Sequence, residues 1–524
     1  MGIKTDAFTT EIVTSFFEQL TDNDVYFVGS DYNASNTSTN SNYSLKDVLE
    51  RTIFGLKVDE EDVSYMIKKT FWAPGIVYSM YDDQAVLNET NYFVIVAPES
   101  EDGDYEVFKC IFNNNGGVSQ SKPVYNENIF ESGGDSNVAD GYIWRYMFTV
   151  DTATVRKFVT TNFFPVVEDP AIANNVVDGI NTILVENYQT NFGYERVAAF
   201  ANTVPDGVTG RINILVSDGF VFNEAVNNYV GEVAYITKSE DDEVIASKQY
   251  VIKGSGKSNQ EFYIDIDGYV PAEFEVEKND QIEILPRIVI TGTGEGAEGI
   301  AIFDATNTRI NSIKMISRGE GYTAAEAHIV EPNYFSITTG DVTGELRPII
   351  SPAGGHGSNV VRELRSDALC VSGVITSYST AIPDTNEYSK IALVYSPSFV
   401  ERDANNTPIG PEAAPASFDN RILITTSGVG SAQVGDAVSQ SNGATGVIHE
   451  IDGNNVYVIN FASGNSTKFV SSLPLSIGAA SINITNVEYP TYLERSGTVL
   501  YITDFQPIER DEEKEEVIKI LIDF

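Results

Sequence analysis

Hydrophobic positions near the N-terminus recur at helical spacing. Phe8, Ile12, Phe16 and Leu20 fall every four residues, and Val13 and Phe17 widen the stripe. An amphipathic helix capped by Thr5 or Asp6 is expected there. A polar loop, "SDYNASNTSTNSNYS", follows. Two short helices are expected next, at "SLKDVLERTIF" and "DEEDVSYMIKK". The second carries acids in its first turn and lysines in its last, as the helix dipole favours. From about residue 75 the texture changes to strands, with "NYFVIVAP" and "YEVFKCIF" as short β-rich runs bounded by turn residues.

The stretch "ADGYIWRYMFTV" is entered by an Asp140-Gly141 turn. Tyr142, Trp144, Tyr146 and Phe148 then alternate, so an extended strand places all four rings on one face. The other face carries Ile143, Arg145 and Met147, itself largely apolar. A strand apolar on both faces is usually buried between layers, so these rings are expected in a core or subunit interface and not on an exposed ligand platform. "TVRKFVTTNFFPVV" is ambiguous between helix and strand.

Between about 175 and 345 there is weak internal repetition. "INTILVENYQTNFGY" and "INSIKMISRGEGY" share Ile-Asn-x-Ile, a strand and a Gly-Tyr turn, as two related β-modules would. Two copies are too few for a solenoid. "GRINILVSDGFVF", "GEVAYITK", "QYVIKG" and "QIEILPRIVITG" read as further short strands. Gly, Asn and Ser turns recur through 420–485 and suggest a small barrel or sandwich. At the end, "GTVLYITDF" is a strand and "ERDEEKEE" a solvated charge run. "VIKILIDF" then places Ile518, Ile520, Ile522 and Phe524 on one face, so the C-terminus is expected to be tied into a sheet.

Bulk composition narrows the function classes. The chain has 524 residues, 42% of them hydrophobic and 11% aromatic, enough for about three domains with large cores. The aromatic and β-branched content argues against disorder. There are 75 acids against 33 bases, a formal charge of −42. Such a surface repels nucleic acid and anionic membranes and suits docking onto basic patches of partner proteins. Cys110 and Cys370 are the only cysteines, both in apolar surroundings. They are expected to be buried free thiols, which leaves no disulfide scaffold or Cys-based zinc site. The N-terminus lacks the apolar core of a signal peptide, no apolar run is long enough to span a membrane, and cytosolic synthesis is expected. Sequons, for example at Asn33 and Asn36, are expected by chance in an Asn/Ser/Thr-rich chain.

Catalytic and cofactor motifs are weak or incomplete. "GEGAEG" fits Gly-x-Gly-x-x-Gly, but a dinucleotide site needs a helix after it, and "IAIFDA" looks like another strand. Its glutamates would also repel a pyrophosphate, so a glycine-rich β-turn is expected. His328, His356 and His449 lie in separate segments without metal-ligand spacing. "GGHGSN" lacks the nucleophile-elbow pattern and reads as a tight loop whose glycines permit close backbone contact. "DIDGY" and "SEDDE" do not complete a calcium loop. No carboxylate pair stands out for glycoside hydrolysis. No catalytic, cofactor or metal residues are therefore assigned. The residues singled out, Tyr142, Trp144, Tyr146, Phe148, Trp72, Cys110, Ile520 and Phe524, are candidates for structural core or interface.

Several blocks, in order, resemble the dimeric baseplate wedge protein family, gene product eight, of T-even-like contractile-tailed phages. "FFEQLTDNDVYFVG" resembles the family's opening helix and first strand. "GLKVDEEDVSYMIKKTFW" is similar to a helical segment ending in basic residues and a Trp. "YEVFKCIF" resembles a Val-Tyr-Arg-Cys-Leu strand, with Cys110 matching. "DGYIWRYMFTV" is similar to Asp-Gly-Tyr-Val-Trp-Glu-Tyr-Leu-Phe, ring for ring. "GVITSYSTAIPDTNEYSKIALVYSP" resembles a late strand pair, and "RSGTVLYITDFQPIERDEEKEEVIKILIDF" the closing segment. The blocks cover roughly 1–170, 346–400 and 486–524. The Gly-Tyr repeats in the added regions resemble those of wedge proteins from T-even-like phages of cyanobacteria.

The resemblance implies a mainly β protomer: a β-sandwich core with a few N-terminal helices, plus inserted small β-modules. Residues 1–174, 346–419 and 486–524 would form the wedge core, with inserts at 175–345 and 420–485. It also implies a homodimer that docks onto the wedge-core proteins and the protein carrying the short tail fibres. The protein would be non-enzymatic, would bind no cofactor, nucleic acid or membrane, and would be assembled in the host cytoplasm into the virion baseplate. It would move as a rigid body during the rearrangement that triggers sheath contraction. The competing expectation is a tail adhesin or carbohydrate-binding protein whose inserts contact glycans.

Overall fold

The computed structural model describes residues 5–32, 45–84, 91–126, 135–170, 178–186, 196–207, 209–240, 243–304, 310–330, 345–375, 388–460, 467–504 and 516–524. Half of the chain is strand and 8% helix, which makes the fold mainly β as expected. The loop holding Asn33 and Asn36, and most of the terminal charge run, lie outside the described residues. Among the described residues no helix is long and apolar enough to cross a membrane.

The chain divides into two units. The first comprises Met1–Lys69, Val150–Val167 and Arg365–Phe524, the second Thr70–Thr149 and Glu168–Leu364. The division differs from the sequence boundaries, since 70–149 groups with 168–364 and not with the N-terminal helix.

In the first unit, a five-stranded antiparallel sheet runs Ser417–Asp419, Thr52–Lys57, Val25–Tyr32, Tyr388–Tyr395, Thr498–Asp504. A four-stranded sheet runs Glu516–Asp523, Ala368–Ile375, Val63–Lys68, Phe163–Pro165. Phe27 of the first sheet lies against Gly373 of the second, so the two pack face to face there. Tyr26 and Val28, one residue to either side, point into a different cluster with Phe399, Phe418 and Tyr492. A central strand buried on both faces shows this arrangement.

The Asp6–Thr21 helix starts where expected, its Thr5 hydroxyl accepting from the Phe8 amide at 3.2 Å. Its buried side is not centred on the expected stripe. Phe8 is 54% exposed, whereas Val13 and Leu20 are fully buried. Phe17 stacks on Tyr65, and Phe16 meets Phe524 edge-on at 5.5 Å.

The helix expected over "DEEDVSYMIKK" is not formed. Glu60–Asp62 make a single 3-10 turn, and Val63–Lys68 is a strand inserted between two neighbours. The acids expected to begin a helix only close a turn, because pairing on both edges outweighs a dipole signal of a few tenths of a kcal/mol. "SLKDVLERTIF" divides into a short helix, Leu45–Glu50, and the Thr52–Lys57 strand. The ambiguous "TVRKFVTTNFFPVV" is both, with a helix at Thr152–Phe158 and a strand at Phe163–Pro165. Seven strands between Ile422 and Glu488 form a sheet around a core of Ile424, Ile448, Val456, Val458 and Leu475.

In the second unit, Phe93–Val96, Tyr105–Asn113, Tyr142–Val150 and Ser136–Asn137 form a sheet, with Val150 across the boundary. Six strands between Val197 and Leu285 close a barrel, filled by Ile212, Ile214, Ile236, Ile252, Ile264 and Ile282. Pairing of Val197–Ala201 with Gln281–Leu285 closes it, and alternation fills it: along Val197–Ala201 the odd positions are buried while Phe200 is exposed.

The two Ile-Asn-x-Ile segments do not head separate modules. Ile180 and Ile183 share one core with Ile310 and Ile313. The strands that carry them, Ile180–Glu186 and Ile310–Glu320, pack on each other. "GEGAEG" is not a turn but the start of the Glu295–Phe303 strand, paired with Ile310–Glu320. "IAIF" is strand and not helix, as the sequence suggests, but it continues the same strand and does not begin another.

Candidate functional site

The Tyr142–Val150 strand sits between Tyr105–Asn113 and Ser136–Asn137. Asp140 fixes its entry. Its Oδ2 accepts from the Gln120 amide at 2.6 Å and the Ser121 amide at 2.8 Å, and its Oδ1 from Tyr142 at 3.1 Å. Burial alone would raise this carboxyl, but the three backbone N–H groups outweigh it and hold it below the ordinary aspartate value. Gly141 takes φ +83°, the left-handed conformation such a turn requires.

One face of this sheet is the aromatic core. Tyr142 and Trp144, both fully buried, stack at 5.5 Å, and Tyr78 meets Trp144 edge-on at 5.5 Å. Cys110, Phe108, Val94 and Val96 complete the cluster, with Tyr146 and Trp72 packed at its margin. Trp72 Nε1 donates to Ser119 Oγ at 3.1 Å, and Tyr142 Oη donates to the Gly117 carbonyl at 2.6 Å. Phe148 is also buried. The structure therefore brings Tyr142, Trp144, Tyr146, Trp72 and Cys110 together.

Ile520 and Phe524 belong to the other unit, on and just after the Glu516–Asp523 strand that pairs with Ala368–Ile375. Ile520 is buried, and Phe524 contacts Phe16. Cys110 and Cys370 are buried free thiols; burial raises both, Cys370 to about 12.

The opposite face of the aromatic sheet is ionic, which the sequence reading did not anticipate. Lys109 alternates with Phe108 and Cys110 and is fully buried. Its Nζ donates to Glu363 Oε2 at 2.9 Å, lies 3.0 Å from His356 Nδ1 and sits 3.9 Å over the Tyr81 ring. Glu363 Oε1 accepts from the Gly357 amide at 2.7 Å. Burial alone would raise the Glu363 carboxyl, but the Lys109 ammonium outweighs it and holds the carboxyl well below the ordinary glutamate value. Burial, then the Lys109 charge, lowers His356 to about 3, so its imidazole is neutral. With Lys109 donating to Nδ1, the proton resides on Nε2, which has no hydrogen-bond partner among the described residues. On the neighbouring strand Arg145, 1% exposed, pairs with Asp135 at 3.5 Å, and Asp135 also binds Arg318.

A Lys–His–Glu constellation invites a catalytic reading, but no solvent reaches Lys109 or His356. The arrangement can fix the short Val360–Glu363 helix and its glycine loop against the sheet; it presents no exposed nucleophile or base. The loop at "GGHGSN" uses left-handed φ at Gly354, Gly355 and Gly357, the backbone freedom a tight loop needs.

A second buried cluster occurs in the first unit. Arg421 donates to Asp419 through Nε at 2.9 Å and Nη2 at 2.7 Å, and through Nη1 to Glu450 at 2.5 Å. Its guanidinium lies 4.3 Å from the Tyr457 ring centroid. Among the described residues no group of three or more His, Cys, Asp or Glu is arranged to hold a metal ion. Asp265 of "DIDGY" instead accepts from Arg211 Nε at 2.7 Å and Nη2 at 2.9 Å. No protein-family model matches the chain, and no curated protein matches it.

Proposed function

We propose that the chain is a structural component of a phage tail baseplate wedge, a homodimer that links other wedge proteins and moves as a rigid body during the rearrangement that triggers sheath contraction. One observation carries the reading. The separated blocks that resemble the wedge family interleave in two sheets. The five-stranded sheet sets two strands of the first block beside one of the middle and one of the last, and only its edge strand, Ser417–Asp419, lies outside the blocks. The four-stranded sheet is drawn wholly from them. Two of the added segments, the barrel between Val197 and Leu285 and the sheet between Ile422 and Glu488, have cores of their own, as insertions into a frame would, whereas Ile180–Glu186 pairs with Glu345–Ile350 of the middle block. A frame knitted from distant segments resists deformation within itself, which suits a part that transmits motion.

The test is the mass of the purified protein alone and mixed with the other wedge proteins of the same phage. The reading expects a dimer that co-assembles with them. A monomer that ignores those partners overturns it, and a trimer that binds host surface polysaccharide favours the adhesin instead.

A further inference from the structure

Arg402 and Lys468 converge on one backbone carbonyl, that of Asn406. Arg402 Nη1 donates to it at 3.2 Å, and Lys468 Nζ donates to the same oxygen. Arg402 Nε donates to the Pro490 carbonyl at 2.8 Å. Both cations lie over the Tyr489 ring, at 6.0 and 5.6 Å from its centroid. That ring is pinned by the Phe469 amide, which donates to the Tyr489 hydroxyl at 2.7 Å.

Neither cation has a carboxylate within ion-pair distance among the described residues. The contrast with their neighbours is sharp in a chain of charge −42. Arg421 is matched by Asp419 and Glu450, and Arg495 by Glu50 at 2.7 Å. All four cations line one cavity of about 540 Å³ in the first unit. Two walls of it are thus electrostatically satisfied, and the Arg402–Lys468 edge is not. Glu494 lines the same cavity and, like Asp403, acts on that edge through space from beyond ion-pair distance.

Two like charges held on one acceptor repel each other, and partial burial removes the water that would screen them. Burial lowers Arg402, and burial followed by the Arg402 charge lowers Lys468. Such a pair is stable when an anion sits between its members, because charge-assisted hydrogen bonds then replace repulsion. The cavity is also far larger than a bare ion needs and falls in the range of small-molecule sites. Ile53, Ile422, Tyr492 and Leu493 give it apolar wall.

We propose that this cleft binds a small organic anion, its carboxylate or phosphate held between Arg402 and Lys468 and its carbon skeleton against the apolar wall. The inference is independent of the wedge reading, since it rests on the cleft alone.

The test is calorimetric titration of the full-length protein with benzoate, phenyl phosphate, inorganic phosphate and uncharged benzamide. The proposal expects saturable binding of benzoate or phenyl phosphate, one per chain, with benzamide silent; the tighter of the two identifies the oxyanion. Arg402→Gln and Lys468→Gln should each weaken binding about tenfold or more, the loss of one charge-assisted hydrogen bond. Gln at 468 keeps an N–H donor for the Asn406 carbonyl, so the Lys468 variant should retain the wild-type melting temperature and carries the test if the Arg402 variant fails to fold. No saturable binding at about 10 mM, a weak Kd on the millimolar scale, overturns the proposal. So does affinity unchanged in Lys468→Gln, or inorganic phosphate binding as tightly as phenyl phosphate.

Discussion

Lys109 Nζ and Glu363 Oε2 lie 2.9 Å apart with both side chains closed off from solvent. Their attraction is offset by the cost of taking two charges out of water, so the pair specifies an arrangement more than it stabilises one. Lys109→Met or Glu363→Leu alone should cost about 3–5 kcal/mol, because each leaves a buried charge without its partner. The double variant should lose much less than the sum. Both tryptophans, Trp72 and Trp144, lie in the same unit as this pair, so urea unfolding followed by tryptophan fluorescence reads it directly. Additive losses in the double variant would remove the coupling.

The same site should make its unit acid-sensitive. His356 is lowered from 6.5 to about 3, so between those values the unfolded chain binds a proton that the folded one refuses. Stability therefore falls as pH drops below 6.5. Glu363, lowered from 4.5, adds loss of the same sign only as pH falls below 4.5. Between 6.5 and 4.5 His356 acts before Glu363 does, alongside His449 of the other unit, lowered by burial to about 3, and Glu106, raised by burial. The His356 share is therefore the difference between the wild-type and variant curves read by tryptophan fluorescence. His356→Asn, whose side-chain oxygen can replace Nδ1 as acceptor, should flatten the midpoint-against-pH curve there. An unchanged slope would contradict the buried neutral imidazole.

Trp144 is fully buried, and its Nε1 has no hydrogen-bond partner among the described residues. Trp144→Ala should cost about 3–5 kcal/mol through the cavity it opens. Trp144→Phe should cost only about 1 kcal/mol, since it also removes a buried donor that has no partner among the described residues. Thermal melting monitored by circular dichroism distinguishes the two. A Trp144→Ala protein of undiminished melting temperature that had lost a ligand would restore the exposed-platform reading.

How much was legible depended on whether a signal was local. The alternation of Tyr142, Trp144, Tyr146 and Phe148 and that of Ile518 and Ile520 are local, and both segments are strands. So is the Thr5 cap. The Val63–Lys68 strand was obscured because it is buried on both faces along most of its length, so no period of two shows, and the acids before it imitate a helix start. Lys109 and Glu363 are 254 positions apart, and only the folded chain pairs them. The one local hint was a lysine inside "VFKCIF", a charge where an apolar strand should have none. Arg402 and Lys468 left no hint, since Arg402 is flanked in sequence by Glu401 and Asp403 and only the folded chain shows that no carboxylate among the described residues comes within ion-pair distance of it.

Gly319 and Gly453 share a left-handed conformation, φ +64° and +57°, but not the same surroundings. Gly453 turns the hairpin between Thr445–Asp452 and Asn455–Ile459, and a Cβ there would meet open space. Gly453→Ala should therefore cost only the conformational strain, about 1–2 kcal/mol. At Gly319 a Cβ would collide with the Glu295 carbonyl and the Ala297 amide of the paired strand. The backbone there cannot retreat freely, because a Cβ on Gly179 would already meet the carbonyls of Arg318 and Gly319 from another side. Gly319→Ala should cost about 3 kcal/mol or more, strain and overpacking together. Scanning calorimetry of the two variants compares them within the same chain. If Gly319→Ala melts no lower than Gly453→Ala, the close approach of these three segments is not what holds the Ile180–Ile310 core together.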